Sequence, residues 1–218
     1  MKQLLSLFII YLFLASSSSF AASDNGQPLA DIKLDRSQAA LQRGANAVIN
    51  SCMLCHQLKY IKYRNLLDIG FDQATVDAMR KENPMSSLLP TGLDKKLVED
   101  MFGIVPPDLA LMAKARKGGP AYIYTLLTSY HEQADGRIEN LLFPGIAMPD
   151  PTAHSVTEDA AAKKEIEAKI LDIASFLEWT ADPHAQERKT MGIYVIIYLF
   201  ILTIMLYIVK KRVWARLD

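Results

Sequence analysis

Apolar positions along this chain follow two rhythms. Over most of its length they return every three or four residues, the period of an amphipathic helix. Leu41, Ala45, Val48, Ile49 and Cys52 fall on one face in this way. Ile166, Ile170, Ile173, Ala174 and Leu177 form a second stripe between 157 and 179, with Glu165 and Lys169 placed to pair outside it. Pro106-Pro107 stands before "DLALMAKAR", where Leu109, Met112, Ala113 and Arg116 share a face. Proline suits a first turn, so this segment predicts a helix. Gly118-Gly119-Pro120 ends it, and "AYIYTLLTSY" predicts the next. Asp182-Pro183 closes the long stripe. Residues 83–93 and "FPGIAMPDPTAH" are punctuated by proline and glycine and predict constrained loops. Strand-like runs are scarce and no repeat is visible. The fold class expected is mainly α with long loops.

The second rhythm is no rhythm at all: both ends carry unbroken apolar runs. Residues 191–209, "MGIYVIIYLFILTIMLYIV", are 19 positions without a charge. That is enough to cross a bilayer core at about 1.5 Å per residue. Lys210, Lys211, Arg212 and Arg216 follow at once, and Tyr194, Tyr207 and Trp214 lie near the ends of the run. Positive charge after the span predicts a cytoplasmic C-terminus, and aromatic rings favour the interface. At the other end Lys2 precedes an apolar stretch from Leu4 to Ala15, and Ser19-Phe20-Ala21 has a small-x-small form. This is the pattern of a signal peptide. The organisation expected is a signal peptide over 1–21, a periplasmic domain over 22–190, a transmembrane anchor over 191–209 and a cytoplasmic tail over 210–218. The protein would thus sit in the inner membrane with a single pass.

Net charge is zero overall, but the average hides an asymmetry. Residues 22–190 hold 19 Lys and Arg against 23 Asp and Glu, a net of −4. A mildly acidic exported domain argues against nucleic-acid binding. It suits a cationic protein partner at low salt, or merely a soluble surface. About 170 residues are enough for one domain with a real core.

The chain holds only two cysteines, Cys52 and Cys55, and His56 follows directly. Four uses compete. A redox-active disulfide is permitted outside the cytoplasm, but such motifs sit in strand–helix folds that this chain does not resemble. Zinc wants four ligands, and no second cysteine pair exists. Plain core packing is the third. The fourth is covalent haem, since C-x-x-C-H is the attachment signature of c-type haem. Two thiols one helical turn apart reach the two vinyl groups on one porphyrin edge, and the next residue offers its imidazole to the iron. Export suits that chemistry, and this reading is favoured.

Iron then needs a sixth ligand or an open site. Met148 lies in the proline-rich loop "FPGIAMPDP", 92 residues after His56. A rigid loop can keep a thioether on iron against water. Met53, Met79, Met101 and Met112 read as packing, and Met191 and Met205 lie in the apolar C-terminal run. His131 and His154 read as surface residues, with His154 the second choice of ligand. His/Met ligation favours the ferrous state and suits one-electron transfer.

Taken with "CMLCHQLKYIKYRNL", "PPDLALMAKARKGG", "AYIYTLLTSY", "FPGIAMPDP" and "FLEWTADPHAQERKTMGIYV", the chain resembles the cytochrome c1 family from about residue 32 to its C-terminus. Cytochrome c1 is the haem c subunit of the ubiquinol–cytochrome c reductase, or cytochrome bc1, complex. The resemblance implies thioethers at Cys52 and Cys55, and axial ligation by His56 and Met148. It implies that Pro107 lines the haem on the His side and that Arg116 pairs with a propionate. It also implies that Tyr122, Leu126, Leu127, Phe143 and Ile146 pack around the porphyrin. As partners it implies cytochrome b and a Rieske iron–sulfur subunit, a soluble cytochrome c or similar acceptor, and a dimeric complex. The chain would be an electron-transfer subunit of an oxidoreductase with no substrate site of its own. The alternatives are a membrane-anchored monohaem cytochrome of another respiratory complex, or a haem enzyme or sensor with an open sixth site. One departure is "MFGIV" before Pro106, where many members carry asparagine-glycine-alanine. Another is the short stretch between Phe143 and Met148.

Overall fold

The computed structural model describes residues 27–215. The expected signal peptide over 1–21 lies outside the described residues, as does Arg216 in the tail. Two long helices organise the domain. Helix α1, Gln38–Asn50, begins at Ser37, whose hydroxyl accepts from the amide of Ala40. It buries Ala40, Leu41, Ala45 and Val48, so the stripe predicted there is the core face. Four short helices follow: α2 Asn65–Asp68, α3 Gln73–Arg80, α4 Lys95–Phe102 and α5 Met112–Ala115. Next comes α6, Pro120–Thr128, with proline in its first turn. Helix α7, Ala160–Ala181, is capped by Asp159 and buries Ile170, Ile173, Ala174, Phe176 and Leu177. It packs against α1, α5 and α6 and so forms the spine of the domain.

Helices α1 and α7 approach with almost no space between backbones. A Cβ placed on Gly44 would lie 2.1 Å from the main-chain oxygen of Asp172. The contact is flanked by two forked ion pairs. Arg43 donates to both carboxylate oxygens of Asp172 at 2.7 and 3.0 Å. Arg36 does the same to Glu178 at 2.7 and 2.8 Å. The apolar stripes supply the attraction, and the ion pairs fix the rotation of one helix against the other.

Three sequence expectations change. The helix predicted over "DLALMAKAR" shrinks to the single turn α5. Its first residues commit their backbone elsewhere: Leu109 donates to the Gln57 carbonyl at 2.8 Å, and Asp108 accepts from Ala110 and Lys59 at 2.9 and 3.0 Å. Those bonds replace the ones a helix would make. Second, α6 stops at Thr128 and Tyr130 opens a small antiparallel hairpin, β1 Tyr130–Glu132 with β2 Ile138–Asn140. Its turn carries Asp135-Gly136, with Gly136 at φ 81°, a hairpin signal too brief to stand out among helical periods. Third, Met101 does not pack: it is 59% exposed.

Pro183 breaks the chain after α7, and α8 then runs from Ala185 to Trp214. Its 30 residues span about 45 Å. Among the described residues it is the one helix long and apolar enough to cross a membrane, and none of its residues is buried against the domain. The break is held by Asp182, which accepts from Lys114 Nζ at 2.7 Å and from both terminal nitrogens of Arg188. Hydrogen bonds from Arg188 first, then Lys114, hold its carboxyl well below the usual carboxylate range. A depressed folded value means the clamp is complete above the ordinary carboxylate pKa of about 4 and fails only as pH falls through the lower folded value. We therefore expect Asp182→Asn to speed tryptic cleavage after Arg188 and Lys189. The parent should keep equal hydrogen-exchange protection of this segment at about pH 7 and pH 5. Cleavage unchanged by the substitution would mean that Asp182 does not hold the joint.

Candidate haem site

After α1 the chain tightens into a 3-10 turn, Cys52–Leu54. The amides of Cys55 and His56 both donate to the Cys52 carbonyl, at 3.2 and 2.9 Å. One turn therefore carries both thiols, which are free, and swings the imidazole out directly after them. Met53 between them is 2% exposed and anchors the turn in the core. Two other segments grip it. Gly92 and Leu93 donate to the carbonyls of Met53 and Leu54, and Leu109 donates to Gln57. The stretch after the motif is tied in the same way, with Tyr63 and Arg64 donating to Ser87 and Met85.

The imidazole is oriented by one bond. His56 Nδ1 lies 2.7 Å from the Pro107 carbonyl oxygen. A carbonyl only accepts, so Nδ1 carries the proton and the Nε2 lone pair is free for a metal. Burial pushes the imidazole pKa down, partly offset by the Pro107 carbonyl and the Asp108 charge. The neutral form is the one that can ligate. Burial likewise pushes the Cys52 thiol up to about 11. Pro107 thus serves through its main chain.

Met148 sits half-buried against the core in the loop between β2 and α7. The Tyr130 hydroxyl donates to the Met148 carbonyl at 3.0 Å. Burial, then the Asp150 charge, raise the Tyr130 phenol above its ordinary value. Asn140, 1% exposed, ties the start of the loop by donating to Leu126 and accepting from Leu142 and Phe143. A cavity of about 430 Å³ opens beside Met148, walled by Phe102, Tyr130, Ile146 and Val156 among others.

The other predicted residues lie on α5, on α6 and in the loop after β2. Arg116 is exposed at the end of α5, with its guanidinium 5.9 Å from the Tyr122 ring centre. Tyr122 and Leu126 are half-buried on α6, whereas Leu127 is buried in the protein core. Ile146 shares the cavity wall with Met148, and Phe143 is 46% exposed. His154 corrects the surface reading: it is 5% exposed, with Nε2 3.4 Å from Glu167 and Nδ1 buried without a partner. Sequence reasoning missed Tyr130, Asn140 and Asp150. Only Asp150 left a trace, in the turn-forming run "PDPTAHS".

The cysteine–histidine turn fits the attachment of haem c. Two free thiols stand on one turn, an imidazole offers Nε2, and a thioether is held on a tied loop. Among the described residues no cluster of three His, Cys, Asp or Glu could hold a bare metal ion. The sequence matches the Cytochrome C1 family over residues 32–217. The chain belongs to the cytochrome c1 family. It is 31% identical to cytochrome c1 of Allochromatium vinosum over 98% of each chain. It is 30% identical to cytochrome b/c1 of Bradyrhizobium diazoefficiens, over 84% of this chain and 34% of that one. It is also 28% identical to a protein named ammonia monooxygenase gamma subunit in Nitrosomonas europaea, over 91% and 94%. As a cytochrome c1 it is a haem-containing electron-transfer subunit of the bc1 complex, carries one covalent haem c, and is membrane-anchored.

Proposed function

We propose that this chain takes an electron from a Rieske iron–sulfur subunit and hands it to a soluble c-type cytochrome or similar carrier. The observation that carries the reading is the 3-10 turn of Cys52, Cys55 and His56 with its imidazole fixed on Pro107, within a family match over nearly the whole chain. Haem c supplies a one-electron iron couple when bound. Cys52 and Cys55 would hold it by thioethers, and His56 Nε2 and Met148 sulfur would fill its two axial positions. Held by these residues, the haem would offer no place for substrate or oxygen. The soft Met148 sulfur raises the potential. Arg116, exposed beside Tyr122, would meet a propionate with a two-pronged guanidinium. Pro107 would line the His side, and Tyr122, Leu126, Leu127, Phe143 and Ile146 would pack on the porphyrin.

The domain over 22–190 would lie in the periplasm, with residues 191–209 as the anchor and the basic tail over 210–218 in the cytoplasm. No ionisable residue lies within 191–209, so the span serves as anchor and packing surface rather than proton path. Cytochrome b is the expected neighbour in the membrane, since one relative carries both names in a single chain. Quinol oxidation would occur there, in a dimeric assembly. The rival is a membrane-anchored monohaem cytochrome of another respiratory complex.

Mild-detergent copurification separates the two. We expect a Rieske protein and a chain holding two b-type haems to travel with this one, and covalent haem on this chain after denaturing electrophoresis. Copurification with other subunits and no b-type haem would overturn the reading.

A further inference from the structure

The loop that carries Met148 has little backbone order of its own. Between Leu141, which donates to Ser129, and the start of α7, the one main-chain bond among the described residues runs from Ile146 to Phe143. Side chains do the fastening instead. Tyr130 reaches the Met148 carbonyl from β1. Two residues beyond Met148, the Asp150 carboxylate accepts four bonds. They come from the amide and hydroxyl of Thr152, both at 2.9 Å, and of Ser155, both at 2.8 Å. Ala153, enclosed by that hub, is held at φ 58°, a left-handed conformation that a residue with a Cβ adopts only under constraint. The same turn drives His154 into the interior beside Glu167 of α7. Met148 thus lies between a fastening on its own carbonyl and a rigid turn bonded to the spine of the domain.

We propose that Tyr130 and Asp150 are positioning residues that hold the Met148 side chain in place and so keep the sixth position on iron closed. This rests on the reading of Met148 as distal ligand. A thioether bonds iron weakly enough to exchange, so its occupancy depends on how far the loop can swing when the bond opens. A loop held in its bound conformation returns the sulfur at once; a slack loop leaves the position to other ligands. The fastening is separable from the fold, since Asn140 and the α1–α7 core remain when the Tyr130 hydroxyl is removed.

The test uses the purified detergent-solubilised complex, with carbon monoxide as probe of the reduced c-type haem. Tyr130→Phe keeps the ring and loses one bond, so carbon monoxide should bind about fivefold faster than in the parent. Asp150→Asn turns an amide donor toward the Thr152 and Ser155 donors, and tenfold or more is expected. In both, the α band and haem content should stay unchanged, and the melting midpoint of Tyr130→Phe should fall by no more than a few degrees. Should Asp150→Asn fail to accumulate, Thr152→Val removes one of its four bonds and should give about a twofold change. Met148→Leu is run beside them. If it removes the thioether–iron band while Tyr130→Phe and Asp150→Asn (or Thr152→Val) bind carbon monoxide at the parent rate, the positioning proposal is wrong. If Met148→Leu keeps the band, the ligand assignment itself has failed.

Discussion

Met148→Leu should abolish the thioether-to-iron charge-transfer band and lower the midpoint potential by on the order of 0.2 V, a quarter of the ~0.8 V that axial-ligand choice spans. Leucine is close to methionine in volume and lacks the sulfur, so the loop should still fold. The Tyr130 bond goes to the main chain of residue 148 and survives the change. With Met148 among the residues that would hold the haem, loss of its sulfur would favour the oxidised state, because a thioether favours the reduced one. Electron delivery to the haem would become less favourable, and carbon monoxide would bind more readily. Potentiometric titration and the near-infrared spectrum read both effects. His154→Ala is the necessary companion. His154 is buried against Glu167, so its loss should weaken packing while leaving the band in place. The reverse result, a band lost in His154→Ala and kept in Met148→Leu, would mean that the ligand loop had been misassigned.

How far such a site can be read from sequence depends on the range of the interactions that build it. That Cys52, Cys55 and His56 share one turn was legible because their spacing in the sequence is that of a single turn. The stripes of α1 and α7 were legible because apolar burial imposes a period. The Pro107–His56 bond was not legible: the resemblance implied only that Pro107 lines the haem on the His side, and nothing local shows that a main-chain carbonyl will orient an imidazole 51 residues away. Asp108 shows the same limit from the other side. Its carboxylate and the Leu109 amide bond across the chain to the haem turn, so a segment with helical spacing forms no helix until Met112. Tyr130 appeared to end a helix, but β pairing with Asn140 re-aimed its ring toward Met148. His154 read as a surface histidine because its burial comes from packing beside Glu167 of α7, which its own neighbours in sequence do not reveal. Cofactor attachment is written locally here. The fastening of the Met148 loop is written in side-chain hydrogen bonds, which leave no period.

The largest effect on the fold is expected at Gly44→Ala. Glycine here is a matter of space rather than backbone freedom. The added Cβ would stand 2.1 Å from the Asp172 oxygen, 2.7 Å from its carbonyl carbon and 2.8 Å from the Phe176 Cβ. Two of those atoms belong to the α7 backbone, so no side-chain rotation relieves the clash. The helices must part along their whole contact. Overpacking a core typically costs about 1–3 kcal/mol. A backbone clash belongs at the top of that range, and about 3 kcal/mol is a large share of the ~5–15 kcal/mol that holds a domain together. Parting α7 from α1 also loosens its hold on α5 and α6, which carry Arg116 and Tyr122. The loss should therefore appear twice, as a melting midpoint lower by several degrees and as a smaller yield of haem-loaded chain. Gly192→Ala is the control: a Cβ there meets nothing within 4 Å, and alanine is the better helix former by about 1 kcal/mol. A Gly44→Ala protein that melts with the parent and fills with haem normally would show that α1 and α7 are not packed as tightly as this contact requires.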